Sequence, residues 1–435
     1  MRKPLLLALL CGFGTPAVAH TAPDGAAAPA QQPPVFSVPN GRPLITLGDG
    51  QLTIAPLLRL DADAGHYWGQ HAYPGGQPPL LSDGQLPGVP EPPLNVRRAR
   101  LGVQGSYLQD FTYNFTWEFA TDPGMQFHPK VTSHIFEAQT AYHGLGWATL
   151  RVGAFTLNYT LNHETGSFET LTLERPAIIN LANSIAAGDT RLAQGIEARG
   201  ARWLASGYFS QGVASTAGDS GNRGLVGRAV GLPVFNDTFK LAVGADMSAQ
   251  FHPGIGPGVN LRLADYPELR LDPTKLLDTG LMTNIGRAYD VGGEVSGQLG
   301  RVLFASEFHH ILTEGINGQA SPNFRGWYAN IAVPLFGGKR RWDGTLGMWT
   351  RPEIEPLNLS KPDALGYAEF VARYSYVNLY DTPISGNSQS VTSLTVNYFP
   401  AKRVRFSLEY LNGTIRIPGP DRAFQAIAGR LAFNW

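Results

Sequence analysis

From about residue 53 to the C-terminus the chain repeats one pattern. Short runs alternate apolar and polar side chains, and clusters of Gly, Pro, Asn and Asp separate them. Run 111–119 is the clearest. Phe111, Tyr113, Phe115, Trp117 and Phe119 share one face, and Thr112, Asn114, Thr116 and Glu118 share the other. Run 239–251 sets Phe239, Leu241, Val243, Ala245, Met247, Ala249 and Phe251 against Lys240, Ala242, Gly244, Asp246, Ser248 and Gln250. Run 57–64 sets Leu58, Leu60, Ala62 and Ala64 against Arg59, Asp61 and Asp63, and run 404–410 sets Val404, Phe406, Leu408 and Tyr410 against Arg405, Ser407 and Glu409. Similar runs lie near 96–107, 134–142, 147–155, 196–212, 224–232, 289–299, 302–312, 326–336, 342–350, 366–377 and 390–399. A period of two belongs to a strand whose faces meet different surroundings. The count is about sixteen to eighteen strands, because 191–213 divides as one or as two.

Alternation alone fits a soluble sandwich as well as a membrane barrel. Three features favour the barrel. Aromatic residues of the apolar faces gather at run ends (Tyr107, Phe111, Tyr374, Tyr376, Tyr398, Tyr410), as interfacial girdles do. Charged residues are 16% of the chain, against roughly 25% in soluble proteins, too few for a solvated surface. The sequence ends in an alternating strand, Leu431-Ala432-Phe433-Asn434-Trp435, closed by an aromatic. A hydrophobic content of 43% excludes a disordered chain. Past the N-terminus no apolar run approaches the ~18–20 residues of a membrane-spanning helix. The predicted fold is an all-β transmembrane antiparallel barrel of sixteen strands over 44–435.

Residues 1–19 read as an export signal: Arg2 and Lys3, an apolar stretch from Leu5 to Phe13, and Ala17-Val18-Ala19 for cleavage after Ala19. Residues 20–43 are Pro-, Ala- and Gln-rich without periodicity and read as a flexible lead segment. The single cysteine, Cys11, lies in the signal, so no disulfide would hold the exported chain, and a closed hydrogen-bonded barrel would. With 34 basic and 34 acidic residues there is no basic excess for nucleic acid. Residues 156–195 interrupt the alternation. Their apolar content (Leu171, Leu173, Ile178, Ile179, Leu181, Ile185) suits packing on a wall, as a loop folded inward to narrow a channel.

Several short pieces, in order along the chain, carry a resemblance. They are Leu58-Arg59-Leu60-Asp61, Arg97-Arg98-Ala99-Arg100-Leu101-Gly102, Phe136-Glu137-Ala138 and Arg151-Val152-Gly153-Ala154-Phe155. After them come Thr172-Leu173-Glu174-Arg175-Pro176, Tyr266-Pro267-Glu268-Leu269-Arg270 with Leu277-Asp278-Thr279-Gly280, Asn397-Tyr398-Phe399-Pro400, and Val404-Arg405-Phe406-Ser407-Leu408. Together they resemble the phosphate-selective porins O and P. The resemblance implies a trimeric sixteen-stranded outer-membrane channel for small anions or hydrophilic solutes, facing outer-membrane lipid. It also implies an arginine ladder, whose donors replace an anion's hydration at successive sites. Arg59, Arg97 and Arg98 match it, Arg262 and Arg270 match more loosely, and Arg100, Arg151 and Arg175 fall within matching pieces. By strict alternation Arg98 and Arg100 face the lumen, and Arg97 needs a bulge to join them. The constriction lysine of such porins would fall near Phe168, and 131–239 contains no Lys. Asp61, Asp63, Glu118, Asp246, Glu294, Glu307, Glu369 and Glu409 also lie on lumen faces.

No residue set stands out for catalysis, cofactor or metal. Gly218-Asp219-Ser220-Gly221 echoes a protease nucleophile segment but reads as a turn. The ten His show no zinc spacing, and His309 and His310, being neighbours, cannot both face the lumen. Lys339-Arg340-Arg341 reads as a solvated turn. Two other classes remain open: a barrel enzyme (protease or acyl hydrolase), which would need a Ser/His/Asp or Asp/His cluster at one rim, and a non-conducting structural barrel.

Overall fold

The computed structural model describes residues 33–68, 94–120, 133–188, 190–213, 222–253, 260–271, 275–416 and 421–435. The export signal and Gly218-Asp219-Ser220-Gly221 lie outside the described residues. The first eight strands are β1 Leu52–Trp68, β2 Leu94–Tyr107, β3 Phe111–Glu118, β4 His134–Tyr142, β5 Ala148–Phe155, β6 Arg191–Gly200, β7 Trp203–Val213 and β8 Arg223–Phe235. The rest are β9 Phe239–Phe251, β10 Ile285–Leu299, β11 Val302–Gly315, β12 Asn323–Phe336, β13 Tyr367–Asp381, β14 Ile384–Ala401, β15 Val404–Arg416 and β16 Arg422–Asn434. Each pairs antiparallel with the next, and β16 returns to β1, placing Arg430 opposite Asp63. The 18-stranded sheet includes two short strands outside this ring, so the closed barrel has sixteen.

Those two strands, Val35–Ser37 and Leu44–Leu47, form a hairpin on the end of β1. The lead segment read as structureless to residue 43 is therefore folded from residue 35. Side-chain bonds hold it: Arg42 donates to the Pro56 carbonyl at 2.8 Å, and the Trp435 indole to that of Gly41 at 2.9 Å. Three other boundaries differ from the sequence reading. The loop read over 156–195 gives way to β6 at Arg191. Residues 191–213 are two strands, and 342–350 is not a barrel strand but a small hairpin, Arg341–Asp343 paired with Met348–Thr350.

The two faces obey the alternation. Outward positions expose large apolar side chains along the barrel: Leu101 is 54% exposed, Met247 56% and Leu408 54%. In water such a belt would oppose folding, and in hydrocarbon it is the solvated face. Inward positions carry Arg59, Asp61, Asp63, Glu118, Asp246, Glu294, Glu307, Glu369, Arg373, Arg405, Glu409 and Arg430, all buried. Burying that much charge inside requires partners, and three inserts supply many of them.

Connections alternate between the two ends of the barrel. At the end bearing the C-terminus most turns are short, among them 201–202, 236–238, 300–301 and 402–403. Inserts 156–190 and 252–284 enter from the opposite end. The first holds α1 (Leu161–Glu164) and α2 (Ala177–Ala186). Pro176, with its φ fixed, leads into α2, whose Ile178, Ile179, Leu181 and Ile185 are buried against inward residues such as Phe155, Tyr208, Ile311 and Phe324. The third insert, 337–366, comes from the short-turn end. Its Trp342, Met348 and Trp349 pack on Leu303, Ala305, Ala332 and Val371 of the inner wall and on Leu161 and Leu171 of the first insert.

Candidate functional site: an arginine-rich side of the inner wall

The inserts do not cover the inner wall evenly. Along β9–β16 most inward side chains are buried beneath them. Along β2–β6 the inward Arg100, Gln104, Asn114, Glu137, Gln139 and Arg151 remain half-buried, as do Glu164 and Arg175 on the facing insert. Among the described residues, the least covered part of the inner wall thus lies along one side of the barrel.

Two bulges shape that side. The β1–β2 register pairs Asp61 with Arg98 but Ala62 with Val96, so Arg97 is the extra residue. Arg97 and Arg98 can then both reach the first insert. Arg97 Nε donates to Glu174 at 2.8 Å, and Arg98 reaches Asp61 at 3.0 Å and Glu174 at 3.8 Å. On β4 the extra residue is Phe136, and the Arg100 guanidinium lies 3.3 Å from its ring centroid.

Glu174 is the hub of the arginine group. Arg97, Arg98 and Arg430 reach it from β2 and β16, and Arg430 also grips Asp63 with two bonds of 2.6 Å. Arg59 pairs with Asp61 at 2.7 Å. Arg59, Arg97, Arg98 and Arg430 thus surround Asp61, Asp63 and Glu174, leaving one positive charge in excess. Burial alone would raise the Glu174 pKa. Arg97, Arg430, Arg98 and Arg270 reverse that and hold it well below the usual 4.5. Its contribution to stability is therefore present above that value and lost only as pH falls through the depressed one.

The remaining predicted arginines are spread out. Arg100 pairs with Glu118 at 2.6 Å, and Arg151 with Glu197 at 2.6 Å and with Gln139. Arg175 donates to the carbonyls of Asn162, His163 and Thr165, clipping α1 to the rest of its insert, and burial pushes its pKa down to about 10. Arg270 offers its carbonyl to Asn95 at 2.7 Å and stacks on Tyr266. Arg262 is not brought to the group: it lies exposed on insert 252–284, paired with Asp278. At Phe168, where the resemblance sets a lysine, the ring is buried between the guanidiniums of Arg59 (4.8 Å) and Arg351 (4.6 Å).

The reading of Lys339-Arg340-Arg341 as a solvated turn is corrected at its middle residue. Arg340 is buried and grips Glu369 through bonds of 2.9 and 2.6 Å. Sequence reasoning also left Arg228, Arg351, Arg373 and Arg430 out of the interior charge network. Arg228 holds Glu294 by two bonds of 3.0 Å, and Arg373 pairs with Glu268. Alternation within their runs was the signal that could have found Arg228 and Arg373.

The sequence profile of the family described as phosphate-selective porin O and P matches residues 91–435. The chain belongs to the phosphate-selective porin O and P family. It is 24% identical over 325 residues to an "uncharacterized protein" of Caulobacter vibrioides, a match covering 72% of this chain and 62% of that one. The chain therefore spans less than two thirds of that relative's length. Among solved structures, the anion-selective porin from Comamonas acidovorans superposes with TM-score 0.53 at 10% identity, covering 88% of this chain and 100% of that one. Outer-membrane expressed OmpT of Vibrio cholerae gives 0.52 at 10% identity, covering 90% and 100%. At such identities these likenesses carry the fold of this porin-family chain, a closed outer-membrane-type barrel.

Proposed function

We propose that the chain is an outer-membrane porin for passive diffusion of small hydrophilic solutes and ions, with a preference for anions. On this reading it performs no chemical reaction, insert 156–190 is the constriction, the signal 1–19 is removed after Ala19, and the barrel works as a homotrimer. The family and the apolar outer belt support the compartment. A trimer form is among the OmpT structures of Vibrio cholerae similar in fold. The observation that supports the selectivity is that Arg97, Arg100, Arg151 and Arg175 are only half-buried on the less covered side of the inner wall. Guanidinium donors at successive places can share a phosphate or carboxylate and pass it on, provided no single site holds it tightly.

Planar-bilayer recording tests this. Purified protein should open channels, and reversal potentials in a KCl gradient should show chloride favoured over potassium. Replacing Arg100 and Arg151 together by Gln leaves Glu118 and Glu197 unpaired beside the passage and should shift the preference toward cations. Silent bilayers would refute the channel, whereas an unchanged reversal potential in the variant would refute only the role of these arginines.

Glu164 adds a pH dependence. Burial, and then Glu197, push its carboxyl up to about 8. It is neutral below that value and gains a negative charge as pH rises through it. Anion preference should therefore weaken between about pH 6 and about pH 9, and Glu164→Gln should flatten the profile. A wild-type profile flat across that range would show that Glu164 does not face the ion path.

A further inference from the structure

Across the lumen from the arginine group, β9, β10 and β11 bring together residues that sequence spacing did not join. The register sets Asp246 opposite Gly292, and Gly292 opposite His309. Asp246 and His309 lean over the glycine from both sides: a Cβ added there would lie 2.3 Å from Asp246 Oδ1 and 2.6 Å from His309 Nδ1. Asp290, two residues along β10, completes the group, with Oδ2 2.9 Å from His309 Nδ1. One ligand atom from each of the three lies within 4.8 Å of the others.

Their hydrogen bonding is incomplete. Asp246 is 4% exposed, and Asp290 and His309 are 0% exposed. Both Asp246 oxygens, Asp290 Oδ1 and His309 Nε2 nevertheless have no hydrogen-bond partner. The neighbouring carboxylates are already served. Arg228 holds Glu294, while Glu307 accepts from the backbone N–H of Leu161 (2.7 Å) and Asn162 (3.0 Å) and from Tyr328. Buried carboxylate oxygens without hydrogen bonds are costly, and His309 Nδ1, already bonded to Asp290, stands 3.7 Å from Asp246 Oδ1.

We infer that Asp246, Asp290 and His309 form a binding site for a divalent transition-metal cation of the zinc class. Two carboxylates and a neutral imidazole balance a dication, and an imidazole donor favours zinc over calcium or magnesium. Tyr159, whose phenol donates to Asp290, supplies the outer hydrogen bond that orients a ligating carboxylate. Tyr159 belongs to insert 156–190, so the ion would fasten the insert to the β9–β11 wall. This does not depend on whether the barrel conducts.

The test is metal analysis of the full chain, folded in detergent and equilibrated with zinc chloride. We expect about one zinc per chain, lost in Asp246→Asn and in His309→Gln and kept in His310→Gln, whose ring lies on the other face of β11. Heat-modifiable gel mobility confirms folding of each variant. Zinc K-edge fine structure of the wild type, which needs no variant, should show one imidazole with oxygen ligands at about 2.0–2.1 Å. Absence of bound zinc, binding kept in both folded variants, or a shell without imidazole would each overturn the site.

Discussion

Replacing Trp342–Trp349 by a two-glycine link should raise single-channel conductance roughly two-fold or more, since a two-stranded hairpin with its side chains fills about 10 Å by 10 Å of cross-section. Sixteen strands at ~4.8 Å spacing and ~40° tilt have a backbone radius of only about 16 Å, before inner side chains are counted. The hairpin sits inside that bore. Trp349 donates to Ser296 on β10 at 2.9 Å, and Arg228 and Asn158 bond the carbonyl of Leu346 at the hairpin tip. Gly347, at φ +65°, turns the tip where a Cβ would lie 2.8 Å from Val230. The link keeps Arg340 and Arg351, and with them the contacts to Glu369 and Glu169. Recordings in symmetrical KCl would decide it, and a conductance equal to wild type would mean that ions never pass the hairpin.

Arg430→Ala is expected to cost about 3–5 kcal/mol of barrel stability. The guanidinium is buried between Asp63 on β1 and Glu174 on the first insert, and each of those carboxylates is at most 5% exposed. Removing it leaves Asp63 buried without its partner, while Glu174 keeps only Arg97 and Arg98. Arg430→Lys keeps the charge but loses the two-bond fork to Asp63, so it should fall between wild type and alanine. Guanidinium unfolding in detergent, followed by tryptophan fluorescence, measures both. A loss under about 1 kcal/mol for alanine would place this pair among solvated ones.

The barrel was legible because a period of two needs no tertiary information: the same parity that exposes Leu60 buries Arg59 and Asp61. The count of sixteen to eighteen left 191–213 open as one strand or two, and the structure makes it two; it also included 342–350, which is a hairpin inside the barrel. Trp342, Leu346 and Met348 share one parity, as they would in a wall strand, so parity could not say which surface they meet. Arg340 was misread because its partner, Glu369, lies beyond the hairpin. Which inward arginines stay half-buried was also invisible, because it depends on where the inserts lie, and no local pattern encodes that. Asp246, Asp290 and His309 come from three strands, and motif spacing is blind to such a set.

Arg430 also bears on how the molecule is made. It rides on the last strand and reaches at once to the first strand and to a segment laid inside much earlier in the chain. The closed seam and the seated interior therefore share one side chain. A barrel whose inner segment had strayed would close with that cation answered by Asp63 alone.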